Sequence, residues 1–174
     1  MTRQCGLRIG RGGGSLSDST QEVRIAVLCY VRNAGKTLMV HRTKRQCDMH
    51  AGKWNGLGGK LHFGETPEEC AVREIAEESG LRITTPMLRG VVTFARNVDG
   101  RTWYVFIYEV HKFEGTLHEC PEGELAWIED EKLLKLQLWP GDHHLFQWLQ
   151  QERFFSAKLV YDQHELTHWS VVFH

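Results

Sequence analysis

The chain has no long apolar run. Its longest, residues 25–31, reads Ile-Ala-Val-Leu-Cys-Tyr-Val, far short of the roughly 20 residues that span a bilayer. It also lacks a surplus of charge. Lys and Arg number 21 against 22 Asp and Glu, so no overall field gathers a nucleic acid polymer, and a nucleic-acid-binding module would lack its basic face. Cys-x-x-Cys spacing is missing. The five cysteines (Cys5, Cys29, Cys47, Cys70, Cys120) are scattered and odd in number, which argues against a disulfide framework or zinc site and for reduced thiols in a cytoplasmic protein. No apolar segment follows the N-terminal arginines, so no secretory leader is expected. Repeats are absent. The ten histidines offer one adjacent pair, His143-His144, and neighbours on a helix point apart, so no histidine metal site is expected.

What remains is ordinary globular composition, 41% hydrophobic and 25% charged over 174 residues, enough for one domain with a sizeable core. Residues 1–20 are rich in Gly, Ser and Arg and have little to bury, so they are expected to be a disordered tail ahead of a single domain over 21–174. Apolar, β-rich runs at 23–31 and 37–42 flank a turn, Asn33-Ala34-Gly35-Lys36, and predict a hairpin. A polar loop at 43–52 precedes Trp54-Asn55-Gly56-Leu57-Gly58-Gly59, where glycines let backbone approach a ligand or another strand. A second hairpin is expected from 88–94 and 103–110 across Asn97-Val98-Asp99-Gly100. A short strand at 125–128, a short helix at 130–136 and a helix at 142–151 capped by Asp142 follow. A last hairpin, 155–161 with 166–173, turns at Asp162-Gln163-His164. This order predicts an α/β fold with a mixed sheet between helices.

The best-specified element is a helix over 66–79. Thr66 is a good N-cap, Pro67 suits the first helical position, Glu69 completes a capping box, and Gly80 supplies the left-handed stop. Ala71, Val72, Ile75 and Ala76 form its apolar stripe. Glu74, Glu77 and Glu78, at i, i+3 and i+4, gather carboxylates on one side. Arg73 relieves Glu77, but one cation does not balance three anions. The spacing fits two arrangements, a solvated acidic face or a site for a hard divalent cation such as Mg²⁺ or Mn²⁺.

The full stretch reads Gly59, five residues, Glu65, seven residues, Arg73-Glu74-Ile75, one residue, Glu77-Glu78, one residue, Gly80-Leu81. It resembles the complete motif of the Nudix (MutT-like) hydrolases, which have an α/β/α sandwich and cleave nucleoside diphosphate derivatives with bound Mg²⁺. The resemblance implies that Glu74, Glu77 and Glu78 are metal ligands, with Glu77 or Glu78 also a general base. It implies that Arg73 orients the carboxylates, that Glu65 supports them, and that Gly59 lets backbone approach the metal. Glu122, five residues before Trp127, stands where this family often draws a further carboxylate. It is preferred to Glu119 and Glu124.

The segments 54–60 and 138–143 look like their counterparts in the nucleotide-pool sanitising, 8-oxo-dGTP diphosphatase branch of that family, and 153–158 resembles its bacterial members. This likeness implies that Asn55 and Asp142 hydrogen-bond a purine and that Trp139 stacks on it. Lys60 is a further candidate substrate contact. Lys44 and Arg45 are candidates for phosphate contact, with plain surface charge the alternative. Mammalian-type relatives carry two acids after Trp-Pro, whereas here the pair is Gly141-Asp142. The expected activity is Mg²⁺-dependent (Mn²⁺ possible) hydrolysis of a nucleoside triphosphate, 8-oxo-dGTP, to the monophosphate and pyrophosphate. The partner is a small nucleotide rather than a nucleic acid polymer or membrane, and monomer and homodimer are both open. Two rivals stand beside this. One is a Nudix enzyme for another substrate such as ADP-ribose, which often has a proline some fifteen residues past the motif, missing here. The other is a non-catalytic nucleotide-binding domain, which the intact carboxylates oppose.

Overall fold

The computed structural model describes residues 22–44, 50–95 and 100–174. The expected disordered tail, Arg45, the Asn97-Val98-Asp99 turn, Cys5 and Cys47 lie outside them. In chain order the elements are β1 (Val23–Asn33), β2 (Lys36–His41), β3 (Trp54–Asn55), α1 (Pro67–Ser79), β4 (Arg82–Ile83), β5 (Met87–Ala95), β6 (Thr102–Val110), β7 (Phe113–Glu114), β8 (Glu124–Glu129), a 3₁₀ helix (Asp130–Lys135), α2 (Pro140–Leu149), β9 (Phe155–Asp162) and β10 (Glu165–Phe173). The main sheet runs β10-β9-β5-β6-β1-β2-β3, with β8 also paired to β2. β1 lies parallel to β6, and β5 parallel to β9, while the hairpins are antiparallel. The sheet is mixed, with α1 and α2 served by separate apolar clusters, which is the expected α/β/α sandwich. All three predicted hairpins form. The predicted helix at 130–136 is a 3₁₀ helix instead.

The apolar run at 25–31 has a structural reason. β1 is a central strand with both faces covered, so both sets of alternating side chains must be apolar. Ala26 and Tyr30 join the cluster that contains Leu145 and Trp148 of α2. Val27, Cys29 and Val31 join Cys70, Ala71 and Ile75 of α1. The described cysteines, Cys29, Cys70 and Cys120, are free and buried, and burial raises the pKa of each thiol. Among the described residues no helix is long and apolar enough to cross a membrane.

Candidate active site

α1 forms as its sequence requires. The Thr66 hydroxyl accepts from the Glu69 N–H, the Glu69 carboxylate accepts from the Thr66 N–H, and Gly80 ends the helix at φ 78°. Ala71 and Ile75 are fully buried against the sheet. That docking fixes the other face. Glu77 stays exposed and Glu74 is mostly covered, but Glu78 is only 5% exposed. The three carboxylates are therefore graded from solvent to core rather than spread along one wet face.

The loop before α1 explains two glycines. A Cβ on Gly58, at φ +148°, would meet the Val27 carbonyl oxygen at 2.2 Å, and one on Gly59 would meet Glu74 Oε1 at 2.2 Å. Gly59 O accepts from Val27 N at 2.9 Å, which straps the loop to β1, and more weakly from the Cys70 thiol at 3.8 Å. Gly58 N–H donates to Glu78 Oε2 at 2.9 Å.

Arg73 is the hub of the outer carboxylates. It donates to both oxygens of Glu65, from Nε at 2.7 Å and Nη2 at 2.9 Å, and from Nη1 to Glu74 at 2.7 Å and Glu77 at 3.3 Å. The bidentate pair holds the Glu65 carboxyl down at about 2, while Glu65 in turn raises the Arg73 pKa. Glu78 behaves in the opposite way. Burial pushes its carboxyl well above the ordinary range, the Gly58 N–H opposes this, and Glu122 and Glu74 add to it. Glu122 comes from the loop before β8, 44 positions away in the sequence, and stands close enough to help raise the Glu78 pKa. Glu122 is also ion-paired with Arg42.

These donors suit a hard cation. They are all oxygens, a glycine cradle brings backbone up to Glu74, and a buried carboxyl is held beside two others with too little positive charge. Among the described residues no three His, Cys, Asp or Glu side chains already stand as a metal cage. Arg73 draws on Glu74 and Glu77, and Arg42 on Glu122, so guanidiniums share the oxygens that a divalent ion would use.

Beside the carboxylates lies a cleft of about 670 Å³, a size that suits a nucleotide. Asn55, Lys60, Trp139 and Asp142 line it together with Glu74, Glu122, Gly58 and Gly59. Asn55, Lys60, Trp139 and Asp142 are thus brought into one cleft, although they come from β3, the loop before α1, and the start of α2; Lys44 is not part of its lining. Glu78 lies behind Gly58, and Arg73 and Glu77 are not part of the lining. A larger cavity of about 970 Å³ opens at the other ends of β1, β5 and β6. Its guanidiniums, Arg32 and Arg89, are closed onto Glu109 and Asp130, so it offers no comparable chemistry.

Several placements differ from expectation. Asp142 does not cap its helix. Pro140 takes the first helical position and Trp139 is the N-cap, because proline's fixed φ starts the helix two residues early. Asp142 falls in the first turn and is buried at 9% exposure. Lys44 donates to Glu119 and to the Cys120 carbonyl, so it braces the acidic loop. Lys60 extends its ammonium over the Trp103 ring at 5.4 Å. Arg42, Trp103 and Tyr161 line the cleft without having been singled out in the sequence. Each sits at or near a strand end, where only the sheet order shows what it faces.

Burial pushes the Asp142 carboxyl up to about 7, against smaller opposing effects of the Trp139 backbone N–H and Lys53. A folded pKa above the unfolded one stabilises the fold below the unfolded value, and that contribution is lost as pH rises through about 7. Asp142→Asn mimics the protonated form. The Tm of this variant minus that of wild type is therefore expected to grow between about pH 5 and about pH 8. Glu78 is present in both proteins and cancels. A difference independent of pH would remove Asp142 from the buried, proton-holding position.

A family model described as NUDIX domain matches residues 22–149. A zebrafish (Danio rerio) protein named oxidized purine nucleoside triphosphate hydrolase is 34% identical over 116 residues, 67% of this chain and 74% of that protein. The CTP pyrophosphohydrolase of Escherichia coli (strain K12) is 32% identical over 121 residues, 70% of this chain and 87% of its own length. Among solved structures, a MutT protein from Bacillus halodurans superimposes with a TM-score of 0.75 at 26% identity, covering 85% of this chain and 97% of that one.

Proposed function

Because this chain belongs to the Nudix family of hydrolases, we propose that it is a Mg²⁺- or Mn²⁺-dependent pyrophosphohydrolase of purine nucleoside triphosphates, with 8-oxo-dGTP preferred. The observation that carries this reading is that Glu74 and Glu122, with the buried Glu78 beside them, meet a cleft whose lining also holds Asn55, Trp139 and Asp142. Glu74, Glu77, Glu78 and Glu122, with the backbone at Gly59, would hold the cation. The bound cation would neutralise charge on phosphate oxygens and lower the pKa of the attacking water. Glu77 or Glu78 takes the proton from that water. Water adds to phosphorus, the bond to the pyrophosphate leaving group breaks, and the nucleoside monophosphate remains. Arg73 keeps Glu74 aimed, and Glu65 keeps Arg73 in place.

Base choice follows from one atom. Guanine presents N7 as an acceptor, whereas 8-oxoguanine carries a hydrogen there and a carbonyl at C8. A cleft that prefers the oxidised base needs an acceptor facing that hydrogen. Asn55, on short strand β3, supplies an amide oxygen, while Asp142 faces the Watson–Crick edge, where the two bases look alike. Asn55→Ala is expected to lower kcat/KM for 8-oxo-dGTP more than for dGTP. Asp142→Ala is expected to lower both. The measurement is kcat/KM on 8-oxo-dGTP, dGTP, CTP and ADP-ribose for the wild type and both variants. CTP belongs in the set because a relative is named for it. A wild type that favours CTP or ADP-ribose would replace the purine triphosphate reading, and an unchanged purine ratio in Asn55→Ala would assign the discrimination to backbone.

A further inference from the structure

Trp139 has three side-chain partners that the carboxylate motif does not include. Its Nε1–H donates to His50 Nδ1 at 2.8 Å, with the rings edge-on at 83° and 5.6 Å. His164 stacks on it at 20° and 5.8 Å. The Lys53 ammonium stands over its ring at 5.3 Å. These partners belong to distant segments. His50 and Lys53 precede β3, in a stretch tied to the Trp139 neighbourhood by Trp54 N–H donating to Gln137 O at 3.0 Å and by Lys53 Nζ donating to Leu138 O at 3.4 Å. His164 sits in the β9–β10 turn next to Gln163, whose φ of 53° is a left-handed value that a non-glycine residue adopts only at some cost.

The arrangement has a consequence for binding. A flat side chain that stacks on a base binds best when its plane is fixed beforehand, because less rotamer freedom is then lost. Pro140 holds the Trp139 backbone extended, at φ −71° and ψ 149°. The backbone alone does not set the rotation of the indole. The bond from Nε1–H to Nδ1 does, and it requires an imidazole that accepts at Nδ1 and carries its proton on Nε2. A tryptophan serving only as packing needs no polar partners at a cleft rim, and here His50 and Trp139 both line the cleft.

We propose that His50 is a positioning residue for the nucleobase, fixing the Trp139 plane and thereby setting affinity for purine nucleotides, with His164 as its stacking support. The inference depends on reading the cleft as a purine nucleotide site. It is tested by steady-state kinetics of wild type, His50→Ala, His50→Asn and His164→Ala on 8-oxo-dGTP and dGTP. His50→Ala is expected to raise KM about 3- to 10-fold, the effect of one net hydrogen bond, with kcat within about twofold. Asn places an acceptor oxygen where the imidazole has Nδ1, so His50→Asn is expected to return KM to within about twofold of wild type. His164→Ala is expected to raise KM while leaving kcat alone. An unchanged KM in His50→Ala, an equal rise in His50→Asn, or a fall in kcat with KM constant would each overturn the positioning role. A wild type that hydrolyses neither purine nucleotide would overturn the functional reading and this inference together, whereas an active wild type with an indifferent His50→Ala overturns the inference alone.

Discussion

Glu78→Gln is expected to reduce kcat by at least about 10² to 10⁴, the range for loss of a general base, while thermal stability holds or rises. The two halves of this result have different causes. Glutamine keeps the shape and an oxygen for the Gly58 N–H (2.9 Å from Glu78 Oε2 in the structure), so the loop before α1 remains strapped to the helix. It removes a buried carboxyl whose charged form is disfavoured by burial and by Glu122 and Glu74. A neutral group there costs less to fold around, and like-charge repulsion falls. What is lost is the carboxylate oxygen that a bound cation would hold and that would accept the proton of the attacking water. Glu77→Gln is expected to lower kcat over the same range, because it too removes either a charge that would hold the cation or the acceptor of the proton. Its stability gain should be smaller, since Glu77 is exposed and touches Arg73 at a longer 3.3 Å. Assays of kcat and Tm on both variants decide this, and wild-type kcat in both would remove these residues from the chemistry.

Excess chelator is expected to abolish turnover, and added Mg²⁺ or Mn²⁺ to restore it. The physical basis is a shortage of positive charge. Glu74, Glu78 and Glu122 come together from α1 and the loop before β8, and they are balanced only in part by Arg73, which also serves Glu65 and Glu77, and by Arg42, which pairs with Glu122. A cation that binds the folded chain should also raise Tm, by about 2.7 kcal/mol of added stability at 100 times its Kd. That shift should shrink in Glu78→Gln. Melting with and without Mg²⁺ reads the site independently of activity. Full turnover in chelator, or a Tm indifferent to divalent ions, would break the metal assignment.

Local signals carried much of this molecule. The capping box of α1, its Pro67 and its Gly80 are relations across three or four residues, and local hydrogen bonding decides them wherever the helix lies. The hairpins were legible for the same reason. Their turn residues and alternating strands act over short separations. The Trp-Pro step before α2 was also a local signal. A proline at the first helical position moves the helix start to Pro140, and giving it full weight would have placed Asp142 in the first turn rather than at the cap.

Other features had no local trace. That Glu78 is buried while Glu77 is wet depends on which way α1 rolls when Ala71 and Ile75 dock on the sheet. The meeting of Glu122 with Glu78, and its pairing with Arg42, follows from β8 lying beside β2, a pairing between residues more than 80 positions apart. The grip on Trp139 joins the stretch before β3, the start of α2 and the β9–β10 turn. The sequence by itself determined the motif, its helix and the chemistry that such oxygens suit, because those are set by residues close together in the chain. Only the tertiary structure decided which carboxyl is buried, which guanidiniums hold its neighbours and what holds the tryptophan, because those contacts are made by strand order and helix docking across long separations.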